Sequence, residues 1–304
     1  MLSAKYFMKK FLIALGLGLA WLASSAESTS TNFTRTEDVI YGRKFGTALT
    51  LDVFQPAQPN GYGVVWMVSG GWFSAHEAIN PKIVVPLLAR GYTVFAVVHG
   101  SQPKFNITEI VPDIHRAIRF IRHNATKYGV RPDKLGITGG SAGGHLSLTM
   151  AVKGEPGKAD AKDPVDRESS AIQCVACFFP PTDFLNYGQP GEDAVGVGTL
   201  KDFKVAFGPR AETAEERQKL GREISPIYFV SSNTPPILIA HGDADKLVPI
   251  YQAEQFMKRC QEFGVETKLV VREGQKHGWA DMVKDEEIFA DWFDRHLRGR
   301  KPKP

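Results

Sequence analysis

The residues Gly139-Gly140-Ser141-Ala142-Gly143 form a G-x-S-x-G sequence between an apolar run and a segment that reads as helix. A serine on so sharp a strand-to-helix turn has strained backbone dihedrals, which flanking glycines permit, and its hydroxyl is pushed above the end of the sheet. Ser141 is therefore the candidate nucleophile. A hydroxyl attacks poorly at neutral pH, so it needs an imidazole to take its proton and a carboxylate to fix that imidazole's tautomer. Both types occur downstream, each after an apolar run. Residues 236–241 lead into Gly242-Asp243-Ala244-Asp245, and residues 267–271 lead into Glu273-Gly274-Gln275-Lys276-His277-Gly278-Trp279. His277 is the candidate base and Asp245 the candidate acid, with Asp243 as the rival two residues earlier. Negative charge on a carbonyl oxygen also needs donors. The Ala142 N–H follows the nucleophile, and the glycine loop Ser69-Gly70-Gly71-Trp72-Phe73-Ser74 lets backbone approach a substrate closely. Gly71 and Trp72 are the candidate donors there, with Gly70 as a further one, and a pair of such donors lowers the barrier by several kcal/mol.

The elements that must hold these groups follow from hydrophobic periodicity. Residues 38–41 and 49–54 read as early strands, the latter alternating with period two. Residues 63–68, 92–98, 134–138, 171–179, 236–241 and 267–271 read as strands apolar on both faces, which makes eight in all. Between them lie helical patterns. One carries Ile110, Ile114, Ile118 and Ile121, with Pro112 expected in its first turn and Arg116, Arg119 and Arg122 expected to face solvent. A second, over residues 142–152, carries Leu146, Leu148 and Met150. A third carries Ala253, Phe256, Met257 and Cys260 and stops at Gly264, and a fourth carries Ile288, Phe289, Trp292, Phe293 and Leu297. Buried strands alternating with amphipathic helices imply an α/β fold, a mostly parallel sheet covered on both faces. Two stretches break the rhythm. Residues 153–170 are charged and read as a surface loop. Residues 180–231 are far longer than the about 2–6 residues usual between such elements, and they carry Phe184, Tyr187, Phe203 and Phe207.

With these motifs in chain order, the sequence resembles α/β-hydrolases of the carboxylesterase and acetyl-xylan or feruloyl esterase type, related to prolyl-oligopeptidase-like hydrolases, over roughly residues 36–298. Ser141-Ala142-Gly143-Gly144-His145 and Phe178-Phe179-Pro180-Pro181-Thr182-Asp183-Phe184 are similar to the bifunctional carbohydrate esterases. The resemblance implies one α/β-hydrolase domain over residues 27–304, with the residue 180–231 insertion forming a partial cap that shapes the acyl or alcohol pocket. In such esterases a histidine often opens the oxyanion loop; Val68 stands there in this chain. His145 is expected to pack on the helix after Ser141 and take no part in catalysis. The implied activity is hydrolysis of carboxylic esters through an acyl-enzyme, with no metal or organic cofactor. Acetyl or feruloyl groups on polysaccharide are the implied substrates, with Trp72, Phe73, Phe184 and Trp279 available to stack on a sugar or phenolic ring. The alternatives are a generalist esterase of small esters, a prolyl-oligopeptidase-like peptidase, and a binding module that keeps the fold without the chemistry. A peptidase of that kind calls for a cationic-amine clamp or a β-propeller, and the sequence shows no internal repeat.

Residues 1–26 read as a secretory signal: Lys5, Lys9 and Lys10 precede the apolar residues 11–22, and Ser24-Ser25-Ala26 offer a cleavage site. The apolar run falls short of the about 20 residues that span a bilayer, so a secreted or periplasmic protein without a stable membrane anchor is expected. Removing that segment lowers the formal charge from +4 to +1, which leaves no nucleic-acid signature. The cysteines number three, Cys174, Cys177 and Cys260. Cys174 and Cys177 stand three apart on a strand pattern and so point to opposite faces, which argues against a bridge and for buried thiols.

Overall fold

The computed structural model describes residues 32–300, all of which belong to one compact unit. Residues 1–26, with the expected signal, lie outside the described residues. Eight strands form a single sheet: β1 (Phe33–Lys44), β2 (Thr47–Pro56), β3 (Gly63–Met67), β4 (Thr93–Val98), β5 (Leu135–Gly140), β6 (Cys174–Phe178), β7 (Ile237–Gly242) and β8 (Thr267–Arg272). Their order is β1-β2-β4-β3-β5-β6-β7-β8. β2 runs antiparallel to β1 and β4, and every pairing from β4 through β8 is parallel. This is the α/β-hydrolase sheet that the sequence implied.

Alternation along each strand divides the core into two layers. Val65, Met67, Ile137, Cys177 and Ile239 enter one, and Val64, Trp66, Cys174, Ala176 and Leu238 the other. The first layer is closed by helices α2 (Ile107–His123), α3 (Ala142–Lys153) and α6 (Tyr251–Glu262), and the second by α1 (Pro81–Ala89) and α7 (Met282–Arg298). Cys174 and Cys177 thus do point to opposite faces, and all three cysteines are free and buried, their thiols pushed up by burial. Burial of each isoleucine on the inner stripe of α2 (Ile107, Ile110, Ile114, Ile118 and Ile121) stabilises the fold by about 1.5–3 kcal/mol.

Two readings of α2 need correction. The helix starts at Ile107 behind an Asn106 and Glu109 capping box, so Pro112 lies in the second turn, where it removes one intrahelical donor. The three arginines do not simply face water. Arg116 reaches Tyr41 O at 3.0 Å, Asp163 at 2.7 Å and Asp166 at 2.8 Å. Arg119 donates to Glu168 O at 3.0 Å and to Glu155 at 2.7 Å, while Arg122 holds Pro132 O, Ser169 O and Ala171 O. The charged stretch 153–170 is therefore a loop tied to α2 by guanidinium groups. The path from β6 to β7 carries α4 (Lys204–Phe207), α5 (Ala214–Ile224) and several short 3-10 turns. Its Phe184, Tyr187, Leu200, Phe207 and Leu220 join the first core layer, so this insertion is packed as part of the domain interior.

Candidate active site

β5 ends at Gly140 and α3 begins at Ala142, leaving Ser141 as the only residue in which the chain can reverse. Its dihedrals, φ 54° and ψ −120°, are strained for a residue with a Cβ. Main-chain bonds hold it there: Ser141 N–H donates to Phe178 O at 3.0 Å, and Ser141 O accepts from His145 N–H at 2.9 Å. The small residue at 143 is required because a Cβ there would lie 2.6 Å from Met67 O.

The three chemical groups sought in the sequence meet at this turn. His277 Nε2 lies 2.9 Å from Ser141 Oγ, and His277 Nδ1 lies 2.6 Å from Asp245 Oδ2. Asp245 is buried. Burial alone would raise its carboxyl, but His241, the hydrogen bond from His277 and the Val248 N–H overcome that and hold it well below the usual carboxylate range. Its Oδ1 accepts from Leu247 N–H and Val248 N–H, both at 2.9 Å. An ionised Asp245 fixes the proton of His277 on Nδ1, which leaves Nε2 as the acceptor for the Ser141 hydroxyl. His241 Nε2–H donates to Val248 O at 2.8 Å and stands 3.6 Å from Asp245 Oδ2, too long for a good hydrogen bond but close enough for its N–H dipole to favour the ionised carboxylate. The rival Asp243 is exposed and caps the histidine loop instead, accepting from Gly274 N–H at 2.6 Å.

In the glycine loop after β3, Gly71 and Trp72 have successive positive φ values of 56° and 61° and form the tip of a tight turn closed by the Gly70–Phe73 main-chain bonds. Among the described residues, no protein acceptor takes the N–H of Gly71, Trp72 or Ala142. The Gly70 N–H is committed to Phe73 O at 3.0 Å, which removes it as a donor. Phe203 of the insertion lies against Gly71 so closely that a Cβ there would collide with its ring.

Two of the four aromatic residues read as ring platforms belong to the core instead. The Trp72 side chain is 2 % exposed and Phe184 is fully buried; the two pack together with Phe207 and His145. Trp72 Nε1–H donates to His145 Nδ1 at 3.1 Å, and His145 Nε2–H donates to Ile224 O at 2.8 Å. Burial pushes His145 down to about 4, so it is a neutral packing group as expected. Phe73 is 38 % exposed, and Trp279 is half-buried against Phe178 and Phe179. Phe179 stands in the motif that begins at Phe178, where the sequence assigns it no site role, yet its ring lies 4.4 Å from the His277 ring; Asp285, which accepts from Trp279 Nε1–H at 2.7 Å and pairs with Arg272, is singled out by no motif at all.

One trio among the described residues, Glu37, Asp52 and His76, brings its ligand atoms within 4.8 Å of one another. The Arg35 guanidinium already sits among these atoms, pairing with Glu37 at 3.1 Å and with Asp52, so a protein cation stands against both carboxylates.

These features agree with the chain's relatives. It is 26 % identical over 230 residues to the probable carboxylic ester hydrolase LipM of Mycobacterium tuberculosis, covering 74 % of this chain and 51 % of LipM. It is 28 % identical over 210 residues to esterase LipQ of the same organism, covering 67 % of this chain and 45 % of LipQ. The chain thus spans about half the length of these curated relatives. Among solved structures, a truncated carbohydrate esterase from gut microbiota superposes with a TM-score of 0.72 at 26 % identity, over 89 % of this chain and 99 % of that one. The BD-FAE family model matches residues 51–260, a span that holds the oxyanion loop, Ser141 and Asp245, and this protein belongs to the BD-FAE family of α/β-hydrolases.

Proposed function

We propose that this protein is a serine carboxylic-ester hydrolase whose substrate is an acylated carbohydrate, with acetyl or feruloyl as the acyl group. The observation that carries this reading is the unbroken hydrogen-bonded chain Ser141–His277–Asp245 on a strained turn. Ser141 Oγ attacks the ester carbonyl as its proton passes to His277 Nε2. The oxyanion is held by the N–H groups of Ala142, Trp72 and Gly71. The tetrahedral intermediate collapses to an acyl-serine as His277 gives its proton to the departing alcohol, and water repeats the sequence to release the acid. No step calls for a metal or organic cofactor.

The carbohydrate assignment draws on the gut-microbiota esterase likeness and on Phe73 and Trp279 as the remaining rings near the site. Export to the periplasm or medium is proposed from the basic and then apolar composition of residues 1–26; the N-terminal sequence of the exported product checks it. Among the described residues no helix is long and apolar enough to cross a membrane.

The decisive experiment compares initial rates on p-nitrophenyl acetate, p-nitrophenyl butyrate, methyl ferulate and acetylated xylan for the wild type and Ser141→Ala. Turnover of xylan or ferulate that Ser141→Ala abolishes is the expected result, a loss of at least about 10³-fold. Activity confined to small esters would replace the carbohydrate reading with a generalist esterase. Equal rates in both proteins would remove Ser141 as nucleophile.

A further inference from the structure

The loop that follows β4 is stitched onto the loop that follows β3. His99 N–H donates to Ser74 Oγ at 3.2 Å, Ser74 N–H to Ser101 Oγ at 3.0 Å, and Ser74 Oγ–H to Val68 O at 2.5 Å. Gln102 N–H donates to Trp72 O at 3.3 Å. At the centre lies the His99 side chain, 3 % exposed, with Nδ1 at 2.7 Å from Gly100 O and Nε2 at 2.8 Å from Ser69 Oγ.

The proton positions on this imidazole follow from its partners. A carbonyl oxygen only accepts, so Nδ1 carries the hydrogen and donates to Gly100 O. Burial pushes the imidazole down to about 4, so it is neutral at working pH. Nε2 is then a bare acceptor, and the Ser69 hydroxyl must donate to it. Gly100 is fixed from the other side, because its N–H donates to Asp113 Oδ2 at 2.9 Å and Asp113 pairs with Lys44 at 2.6 Å. Ser69 completes the link, since its carbonyl accepts from Gly143 N–H at 3.3 Å, within the helix that begins just after Ser141. Ser69 therefore touches both halves of the oxyanion site: the loop bearing Gly71 and Trp72, and the elbow bearing Ala142.

We propose that His99 is a positioning residue for the oxyanion loop, acting through Ser69 to set where the Gly71 and Trp72 N–H groups stand relative to the Ser141 elbow. This rests on the hydrolase reading above. Donors aimed at a developing oxyanion act mainly in the transition state. Misplacing them lowers kcat and leaves KM nearly alone, whereas general loosening of the fold moves both and lowers Tm.

The test uses His99→Phe, which keeps a ring but removes both hydrogen bonds, Ser69→Ala, their combination, and His99→Gln, whose amide can accept from Ser69 and donate to Gly100 O. Each is assayed on p-nitrophenyl acetate for kcat and KM, and for inhibition by a trifluoromethyl ketone that forms an oxyanion on Ser141. The expected result is a fall in kcat of about 10–100-fold for His99→Phe and for Ser69→Ala, with KM within about twofold and a parallel loss of inhibitor affinity. The double variant should be no worse than the poorer single one, and His99→Gln should recover most of the rate. Should His99→Phe not fold, Ser69→Ala and His99→Gln carry the test. Wild-type kcat in Ser69→Ala, or losses that multiply in the double variant, would overturn the proposal alone. Absence of Ser141-dependent turnover in the wild type would overturn the hydrolase reading and this proposal with it.

Discussion

The elbow that presents Ser141 and the loop that presents His277 are held by different forces. Around Ser141 the restraints are main-chain: the Phe178 and His145 hydrogen bonds, the Ser69 carbonyl on Gly143, and glycines that admit neighbouring backbone. The helix behind it is buried from Ala142 through Ala151. Around His277 the loop after β8 is largely exposed and follows an edge strand. Its root is main-chain too, with Ala244 N–H on Gln275 O at 3.0 Å and Gly242 admitting that carbonyl, but side chains add the rest: Asp243 on Gly274 N–H, Phe179 against the imidazole ring, and Asp285 gripping Trp279 and Arg272. The nucleophile is thus fixed by steric necessity, whereas the base, beyond the main-chain root of its loop, rests on a few replaceable side-chain contacts. Substitutions at the elbow should be all-or-none, and those around the base should be graded.

Beyond loss of the nucleophile itself, the largest effect is expected at Gly143→Ala. Its new methyl would stand 2.6 Å from Met67 O, and backbone cannot yield as a side-chain tip can. The turn would have to open, displacing Ser141 from His277. We expect activity to fall at least about 100-fold and stability by about 3 kcal/mol, read by p-nitrophenyl acetate hydrolysis and denaturant unfolding. Near-normal turnover would show that the elbow adapts as readily as the histidine loop, and the contrast between the two would be lost.

The same contrast explains what the sequence disclosed. The elbow was legible because its geometry constrains residue type locally: strand, glycine, serine, glycine and helix follow one another in the chain. The strands and helices that flank it were legible from alternation and from the isoleucine stripe of α2. The sequence put Asp245 ahead of Asp243 but left the rival open, since both follow β7 in the same turn; the structure separates them by the Asp245 bond to His277 and by its burial against Leu247 and Val248 N–H. Trp72 and Phe184 read as site rings because an insertion of some fifty residues carries no period that foretells its folding into the core. Arg116, Arg119 and Arg122 had the spacing of a solvated face, and their partners lie 36 to 75 positions away for the bonds to Glu155 and Tyr41. Asp285 sits on α7 and His277 in the loop before it, joined only through Trp279 and Phe179, so no local pattern could link them.

A second measurement sharpens the comparison through pH. On the elbow side, His99 and His145 are kept neutral down to about 4, while in the unfolded chain they protonate near 6.5. Between those values the unfolded state binds more protons, so their contribution is present above about pH 6.5 and is lost as pH falls toward 4. On the side of the histidine loop, Glu286 lies on the buried stripe of α7 with Phe289, Ala290 and Phe293. Burial raises it to about 8, and its Oε2 has no hydrogen-bond partner. Here the folded state holds the proton that the unfolded chain releases near 4.5, so stability is full below that value and falls as pH rises toward 8. Glu286→Gln removes this loss. We expect it to add on the order of 2 kcal/mol at pH 8 and little at pH 4.5, measured by urea unfolding at both. A variant with the wild-type pH slope would place the alkaline loss elsewhere.

The smallest effect, and the one that bears most directly on the histidine loop, is expected at Asp285→Asn. The charge lost is one partner of Arg272 and the acceptor of Trp279 Nε1–H, and the amide can still accept one of these bonds. Stability should drop by about 1 kcal/mol, since Arg272 is about one-third exposed and water replaces part of the pairing. The consequence for turnover passes through packing. Trp279 lies 5.7 Å from Phe179, and Phe179 lies 4.4 Å from His277, so a looser indole frees the imidazole to leave Ser141 without breaking the Asp245 bond. A several-fold fall in kcat with intact Ser141 labelling by a fluorophosphonate under forcing conditions is the expected pattern, and Asp285→Glu, which restores the charge, should recover part of it. If Asp285→Asn lowers Tm but leaves kcat untouched, the loop is held by His277 and Asp245 themselves, and the base is as firmly set as the nucleophile.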